Sequence, residues 1–430
     1  MTTLITPPVR RAQSSATPPS PRDSSVDVAR AWCLVVVVAL HSLMVGVSVA
    51  DGVPVLENAM DGWPWFAAVT WLVQIMPLFF VLGGFSSATQ WTKLRARGVP
   101  AHEYLATRLR RLLPPALGAI AVTAATLLAL DAAGVPDAMV ATAGFRLSQP
   151  LWFLGVYLLC TGLVPLMMAA HRTAPRLTLA GLAALVIAVD VIRGATGADA
   201  VGFANLLFVW LLVQQLGFWL AEGRFDRVPR VRLVATGASA LGVLAALCAS
   251  GVYSFDLLQN LNPPTFALVL LGVAQLCGFQ LLRPALRRLH EHPPVATAVG
   301  AINARAMTIY SWHMLVLIGL AGLLLVVGGE ALPAPLTDAW WATRPAWLVG
   351  VGTAVALVVA VAGRLETAPA RPVRAHPLAA HPLAAPLALL AAAGAVLAVL
   401  LAGSVPATWA VAAALLAGSL GVARRSGAGR

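Results

Sequence analysis

The chain has 430 residues, 59% of them hydrophobic and 11% charged, with a mean hydropathy of +0.83. Soluble domains carry about 25% charged residues, so this composition excludes a soluble globular protein and points to an integral membrane protein. The net charge of +12 does not mark a nucleic-acid-binding face, because Lys93 and the arginines sit in short segments between apolar runs, as membrane topology determinants do.

In chain order, residues 1–25 are rich in Pro, Ser and Thr and predict a disordered tail. Runs long enough to span a bilayer follow near 30–50, 63–91, 115–133, 150–170, 177–193, 203–221, 231–252, 264–282, 305–328 and 346–363, with two Ala/Leu-rich runs near 383–402 and 407–423. Ser48-Val49-Ala50 fits a small-x-small cleavage site, but the long polar region before the first run favours a span over a signal peptide. With the amino terminus inside, all but Arg146, Arg193 and Arg344 of the 29 Lys and Arg residues fall on the cytoplasmic side. That one-sided split predicts twelve spans with both termini cytoplasmic. The expected fold is an all-α polytopic transmembrane helical bundle: ten core spans in residues 26–365, then a linker and two more spans in 366–430. The Arg-over-Lys, Ala-rich usage suggests a GC-rich bacterial genome, hence the bacterial cytoplasmic membrane.

The inner loops are expected at Lys93–Arg111, His171–Arg176, Glu222–Arg232, Arg283–Asn303 and Arg364–His381, and the outer ones include Asp51–Gly62, Gly134–Gln149, Tyr253–Pro264 and Gly329–Arg344. The outer ones are short, so no separate soluble catalytic domain is expected and any chemistry takes place in or beside the bilayer. Cys33, Cys160, Cys248 and Cys277 fall inside apolar runs without CxxC or CxxH spacing and act as small hydrophobes. His376 and His381 lie in the local duplication HPLAAHPLAAP and are expected to be linker residues; no metal-ligand set is implied.

Arg30 and His41 stand eleven residues apart at the head of the first run. Helical rise separates them by roughly 16 Å and returns them to nearly the same face. An imidazole near mid-membrane is costly to keep for packing alone, so His41 is a candidate functional residue. Ser86, Gln215, Gln275 and His313 fall at comparable heights above Lys93, Glu222, Arg283 and Arg305. Helical rise puts this layer roughly 10–16 Å from the inner edge. If their faces converge, they line a wet pocket reachable from the cytoplasm. The alternative is interhelical hydrogen bonding, each bond contributing about 1 kcal/mol or less, which suits Ser86, Gln214, Gln215 and Gln275. Arg108 and Arg111 share a helix face before Pro114-Pro115, which mark the start of the next span; guanidinium forks there suit phosphate, although on the residues alone plain membrane anchoring is the stronger explanation.

Five motifs in order resemble the acyltransferase 3 family of bacterial integral-membrane acyltransferases. These are Arg30-x10-His41, Met76-Pro-Leu-Phe-Phe-Val-Leu-Gly-Gly-Phe85, Arg108-Leu-Arg-Arg111-Leu-Leu-Pro114, Leu151-Trp-Phe-Leu154 with Tyr157, and Met307-Thr-Ile-Tyr-Ser-Trp-His313. Gly83 stands where the family usually has serine. The resemblance covers roughly residues 26–365 and leaves the last two spans without a role. It implies transfer of an acyl group, most often acetyl, from acyl-coenzyme A to a hydroxyl of a cell-envelope glycan, lipid-linked sugar or small metabolite. Under it, Arg30, Arg108 and Arg111 meet the donor's phosphates, and His41 is the general base, an acyl-histidine being the less favoured variant. His313, Ser86, Gln215 or Gln275 steadies the oxyanion. No bound cofactor is implied beyond the donor substrate. The rival reading is a transporter or permease, which predicts two similar halves; residues 215–430 contain no second Arg-x10-His or PLFF run.

Overall fold

The computed structural model describes residues 23–50, 52–364 and 381–426. The predicted tail at 1–22, the linker at 365–380 and His376 lie outside the described residues; His381 is exposed. Helices dominate: among the described residues eleven are long and apolar enough to cross a membrane, and twelve if one bent pair counts as a span. The protein is a multi-pass, all-helical membrane protein.

Helix α1 (Ser24–Met44) starts earlier than the apolar run suggests, because the Asp23 side chain accepts from Ser25 N and caps it. Residues 24 and 25 therefore belong to the first span rather than to a tail. The span also ends earlier than residue 50. Val45–Ala50 (β1) and Val53–Asn58 (β2) pair antiparallel, Val45 opposite Asn58 and Ala50 opposite Val53. Val-Gly-Val-Ser-Val alternates β-branched with small residues, which suits a strand, and Gly52 at the turn takes φ 76°, a conformation glycine adopts without a Cβ clash.

The second span is broken. Helix α2 (Phe66–Val73) and α3 (Met76–Ala96) meet at Gln74-Ile75, where Pro77 cannot donate a hydrogen bond. Helix α4 (Ala101–Ala132) runs through Pro114 and Pro115 without interruption. The expectation that these prolines mark the start of a span is thus incorrect. Buried Leu112, Leu113, Pro115 and Ala116 hold this stretch against its neighbours, and a membrane helix tolerates the lost backbone bonds. Helix α5 (Asp137–Ser148) occupies what hydropathy gave as an outer loop; α6 (Leu151–Gly162) and α7 (Val164–Thr173) follow, with a 52° bend between α5–α6 and α7.

Next come α8 (Pro175–Thr196), the single turn α9 (Asp199–Gly202), α10 (Asn205–Ala221) and α11 (Arg230–Ala249). Helices α12 (Phe266–Glu291), α13 (Pro293–Ala304), α14 (Ala306–Gly328) and α15 (Asp338–Ala362) complete the core, and α16 (Ala384–Ala402) and α17 (Pro406–Arg425) end the chain. The predicted inner loops are largely helical: only residues 97–100 separate α3 from α4, and α12 and α13 together cover Arg283–Asn303 except for His292. Hydropathy marks the apolar middle of a helix and misses its charged ends. Helices α16 and α17 pack on each other and on α4 and α6, so they form one body with the core. All four cysteines are buried and unpaired.

Candidate functional site

Helix α1 brings Asp23, Arg30 and His41 along one wall of a cavity of about 1120 Å³. The broken second span supplies the facing wall with Val73, Gln74, Ile75, Met76 and Phe79, then Ser86 and Lys93 lower down; α4 adds Arg108 and Arg111, and α14 adds Met307 and Tyr310. One end of the cavity is basic: Lys93, Arg97, Arg111 and Arg287 form an exposed rim, with Arg30, Arg108 and Arg283 just inside it. At the other end stand Leu258 and Leu261, from the irregular segment after α11.

Gln275 holds the break in the second span open. Its Oε1 accepts from Leu78 N at 2.9 Å, and its Nε2 donates to the Gln74 carbonyl at 2.7 Å. Backbone groups that a helix break would leave without partners in an apolar medium are thereby satisfied. On the far side Thr70 Oγ1 accepts from Leu257 N at 2.9 Å, fixing the segment that carries Leu258 and Leu261.

His41 and His313 touch. His41 Nδ1 lies 3.0 Å from His313 Nε2, with ring centroids 5.1 Å apart and planes 27° from parallel. His313 is fully buried, and its Nδ1 lies 2.7 Å from the Tyr310 carbonyl oxygen. Of the two, His41 lines the cavity. Tyr310 is anchored in turn: its hydroxyl donates to the Pro150 carbonyl at 2.7 Å and accepts from Leu154 N at 3.2 Å. Phe79, Phe153 and Tyr157 pack beside it, Phe153 lying 5.0 Å from the Tyr310 ring centroid.

The arginines differ in their engagements. The Arg30 guanidinium makes no hydrogen bond or ion pair with the described residues, although it lines the cavity. Buried Arg108 donates to the Tyr104 hydroxyl at 3.3 Å and stacks on that ring at 5.3 Å. Arg111 is exposed at the rim. Arg283 bridges Asp23 and Asp226, and Arg287 reaches Asp23 at 3.2 Å. Burial acts to raise the Asp23 pKa, but hydrogen bonds from Ser25, Arg283 and Arg287 outweigh it and hold the carboxyl well below the usual carboxylate range.

Of the residues singled out in sequence, Arg30, His41, Ser86, Arg108 and Arg111 line this one cavity, and His313 backs it. The Ser86 hydroxyl donates to the Leu82 carbonyl at 2.9 Å. Gln215 and Gln275 do not face the cavity, which corrects their place as candidate oxyanion donors. Gln275 is committed to the helix break. Fully buried Gln215 accepts at 2.9 Å from His171 Nδ1, and its amide nitrogen donates to the Met167 carbonyl at 3.4 Å. His171 Nε2 lies 3.2 Å from Glu222 Oε1, so this trio ties α7 to α10. Gln214 likewise donates to the Cys160 carbonyl at 3.3 Å.

Sequence reasoning missed Lys93, Arg97, Arg283, Arg287 and the acidic pair Asp23 and Asp226 as parts of the mouth. Their position below the apolar runs was readable, but their convergence was not. Gly83 leaves space: a Cβ there would meet the Tyr157 ring at an ordinary 3.6 Å, so the missing serine hydroxyl is not excluded by packing.

Residues 23–363 match the family model described as the acyltransferase domain of acyltransferase 3, a range that holds every cavity residue and stops before α16. No curated protein and no solved structure gives a significant match.

Proposed function

The chain belongs to the acyltransferase 3 family and is a multi-pass membrane acyltransferase, and from that premise we propose that it moves an acyl group, acetyl in the simplest case, from acyl-coenzyme A to an acceptor hydroxyl inside the bundle. The observation that carries the reading is that His41 and Arg30, whose guanidinium has no partner among the described residues, line the same cavity. The basic end is the cytoplasmic one, by the charge asymmetry of the loops, in the bacterial cytoplasmic membrane. The donor's phosphates settle against Arg30, buried Arg108 and Arg111 at the rim, through charge-assisted hydrogen bonds. The narrow pantetheine arm then extends along the α1 wall and sets its thioester beside His41.

His41 takes the proton of the acceptor hydroxyl as the oxygen attacks the thioester carbonyl. The tetrahedral intermediate collapses with cleavage of the carbon–sulfur bond, and the departing thiolate recovers the proton from His41. Ser86 lines the cavity, whereas Gln215 and Gln275 do not, and its hydroxyl serves the oxyanion by rotating away from the Leu82 carbonyl. Phe79, Phe153 and Tyr157 keep bulk water from the thioester. Acceptors of the class are envelope glycans, lipid-linked sugars and small metabolites. Family membership favours this chemistry over a permease role.

The test is purified full-length protein with radiolabelled acetyl-CoA, scored for thioester cleavage and transfer. His41→Ala is expected to abolish both while the protein still reaches the membrane; retained turnover overturns the general-base role.

A further inference from the structure

The hydrogen-bond chain behind His41 dictates which of its nitrogens is basic. It begins at the Tyr310 carbonyl oxygen, 2.7 Å from His313 Nδ1. A carbonyl oxygen only accepts, so His313 Nδ1 carries a hydrogen, and in the neutral ring its Nε2 holds a lone pair. That Nε2 is 3.0 Å from His41 Nδ1. Two ring nitrogens bond only if one of them donates, so His41 Nδ1 must carry the hydrogen. His41 Nε2 is left with its lone pair, has no hydrogen-bond partner among the described residues, and belongs to the ring that lines the cavity.

We propose that His313 is a positioning residue that locks His41 in the Nδ1–H tautomer and thereby leaves Nε2 as the basic atom facing the cavity. The order of donors runs one way, from His41 through His313 to the Tyr310 carbonyl. Tyr310 itself is pinned through its hydroxyl to Pro150 and Leu154. The hydrogen bond therefore serves the orienting purpose that a carboxylate serves in many hydrolases, but without a negative charge. When Nε2 accepts a proton, the resulting imidazolium keeps its Nδ1–H on the His313 lone pair, which strengthens that bond and disperses the charge. No proton passes on to His313: the one that moves arrives from the acceptor hydroxyl at His41 Nε2 and departs from the same atom to the thiolate. His313 thus acts through His41 and touches neither substrate.

The inference rests on the general-base reading of His41 for its catalytic meaning, but the tautomer is measurable by itself. Full-length protein labelled with 15N-histidine, in detergent or lipid nanodiscs, is read by long-range 1H–15N correlation, with the two residues assigned through His41→Gln and His313→Gln. Both rings are expected to show a protonated Nδ1 and an unprotonated Nε2. In His313→Leu, His41 is expected to show both tautomers, and acyl transfer to fall about 100-fold in turnover at nearly constant donor KM. In His313→Gln the amide oxygen still accepts from His41 Nδ1, so the tautomer persists and turnover falls by no more than about tenfold. A His41 ring protonated at Nε2 in the unaltered protein, or an unchanged tautomer in His313→Leu, overturns the proposal. Transfer that survives His41→Ala overturns the general-base reading instead and leaves the tautomer assignment standing.

Discussion

Gly84 and Gly217 meet where α3 crosses α10. A Cβ on Gly217 would overlap the Val81 carbonyl oxygen, and one on Gly84 would overlap the Gln214 carbonyl oxygen. Two backbones pack here in direct contact, as small residues permit between membrane helices. Gly217→Ala is therefore expected to lower stability by about 1–3 kcal/mol, the usual cost of overpacking. A detergent thermal-unfolding curve that matches the unaltered protein would count against this crossing.

Gln275→Leu deprives the helix break of its partner and leaves two backbone groups orphaned, the Leu78 N–H and the Gln74 carbonyl. Each buried orphan costs about 1–3 kcal/mol. The expected outcome is a lower unfolding temperature together with weaker activity, because Gln74, Ile75 and Met76 form the cavity wall opposite His41. Gln275→Glu preserves one acceptor, and thermal unfolding should place it between the two.

Arg30→Ala should raise the donor KM by about 10- to 100-fold, corresponding to one lost charge-assisted hydrogen bond, and should change turnover less. Arg30→Lys separates charge from shape. If the planar fork matters, Lys behaves like Ala; if charge suffices, it behaves like the unaltered enzyme. Steady-state kinetics with acetyl-CoA decides between them.

Asp23→Asn keeps a good helix cap for α1 but ends the ion pairs to Arg283 and Arg287. The folded-state Asp23 pKa is held below its ordinary value by those arginines and Ser25. Its contribution is therefore present in full above the ordinary carboxylate pKa of about 3.9 and fades as pH falls through the folded value. The difference in melting temperature between the unaltered protein and Asp23→Asn should be constant from neutral pH to about 5 and shrink only in stronger acid. A difference that grows on acidification contradicts the sign.

Spans are legible in the sequence because an unbroken apolar stretch of bilayer length rarely fits a water-soluble fold. The β1–β2 hairpin is not, since Val45–Ala50 continues the hydrophobic run of α1 and differs from it only in periodicity over six residues. Polar residues pose a different problem. Helical rise gives height in the membrane, and on that basis His41, Ser86, Gln215, Gln275 and His313 share one layer. It does not give the direction a side chain takes. Gln215 turns to His171 and Gln275 to the helix break, whereas His41 and His313, 272 residues apart in sequence, meet. Arg30 and His41 fall on one wall because eleven residues bring a helix back to nearly the same azimuth.

The docking of α16 and α17 on α4 and α6 carries a consequence for how the chain is held together. Lipid tails are as apolar as the Leu and Ala side chains on these faces, so expulsion of water supplies no force between them. Attachment comes instead from close fit, with Leu389 against Gly162 and Leu397 against Gly155, and from single polar ties such as Arg110 to the Ala423 carbonyl. The pair is a fitted buttress outside the family-matched region: it packs against α4 and α6 and, among the described residues, contributes no side chain to the cavity.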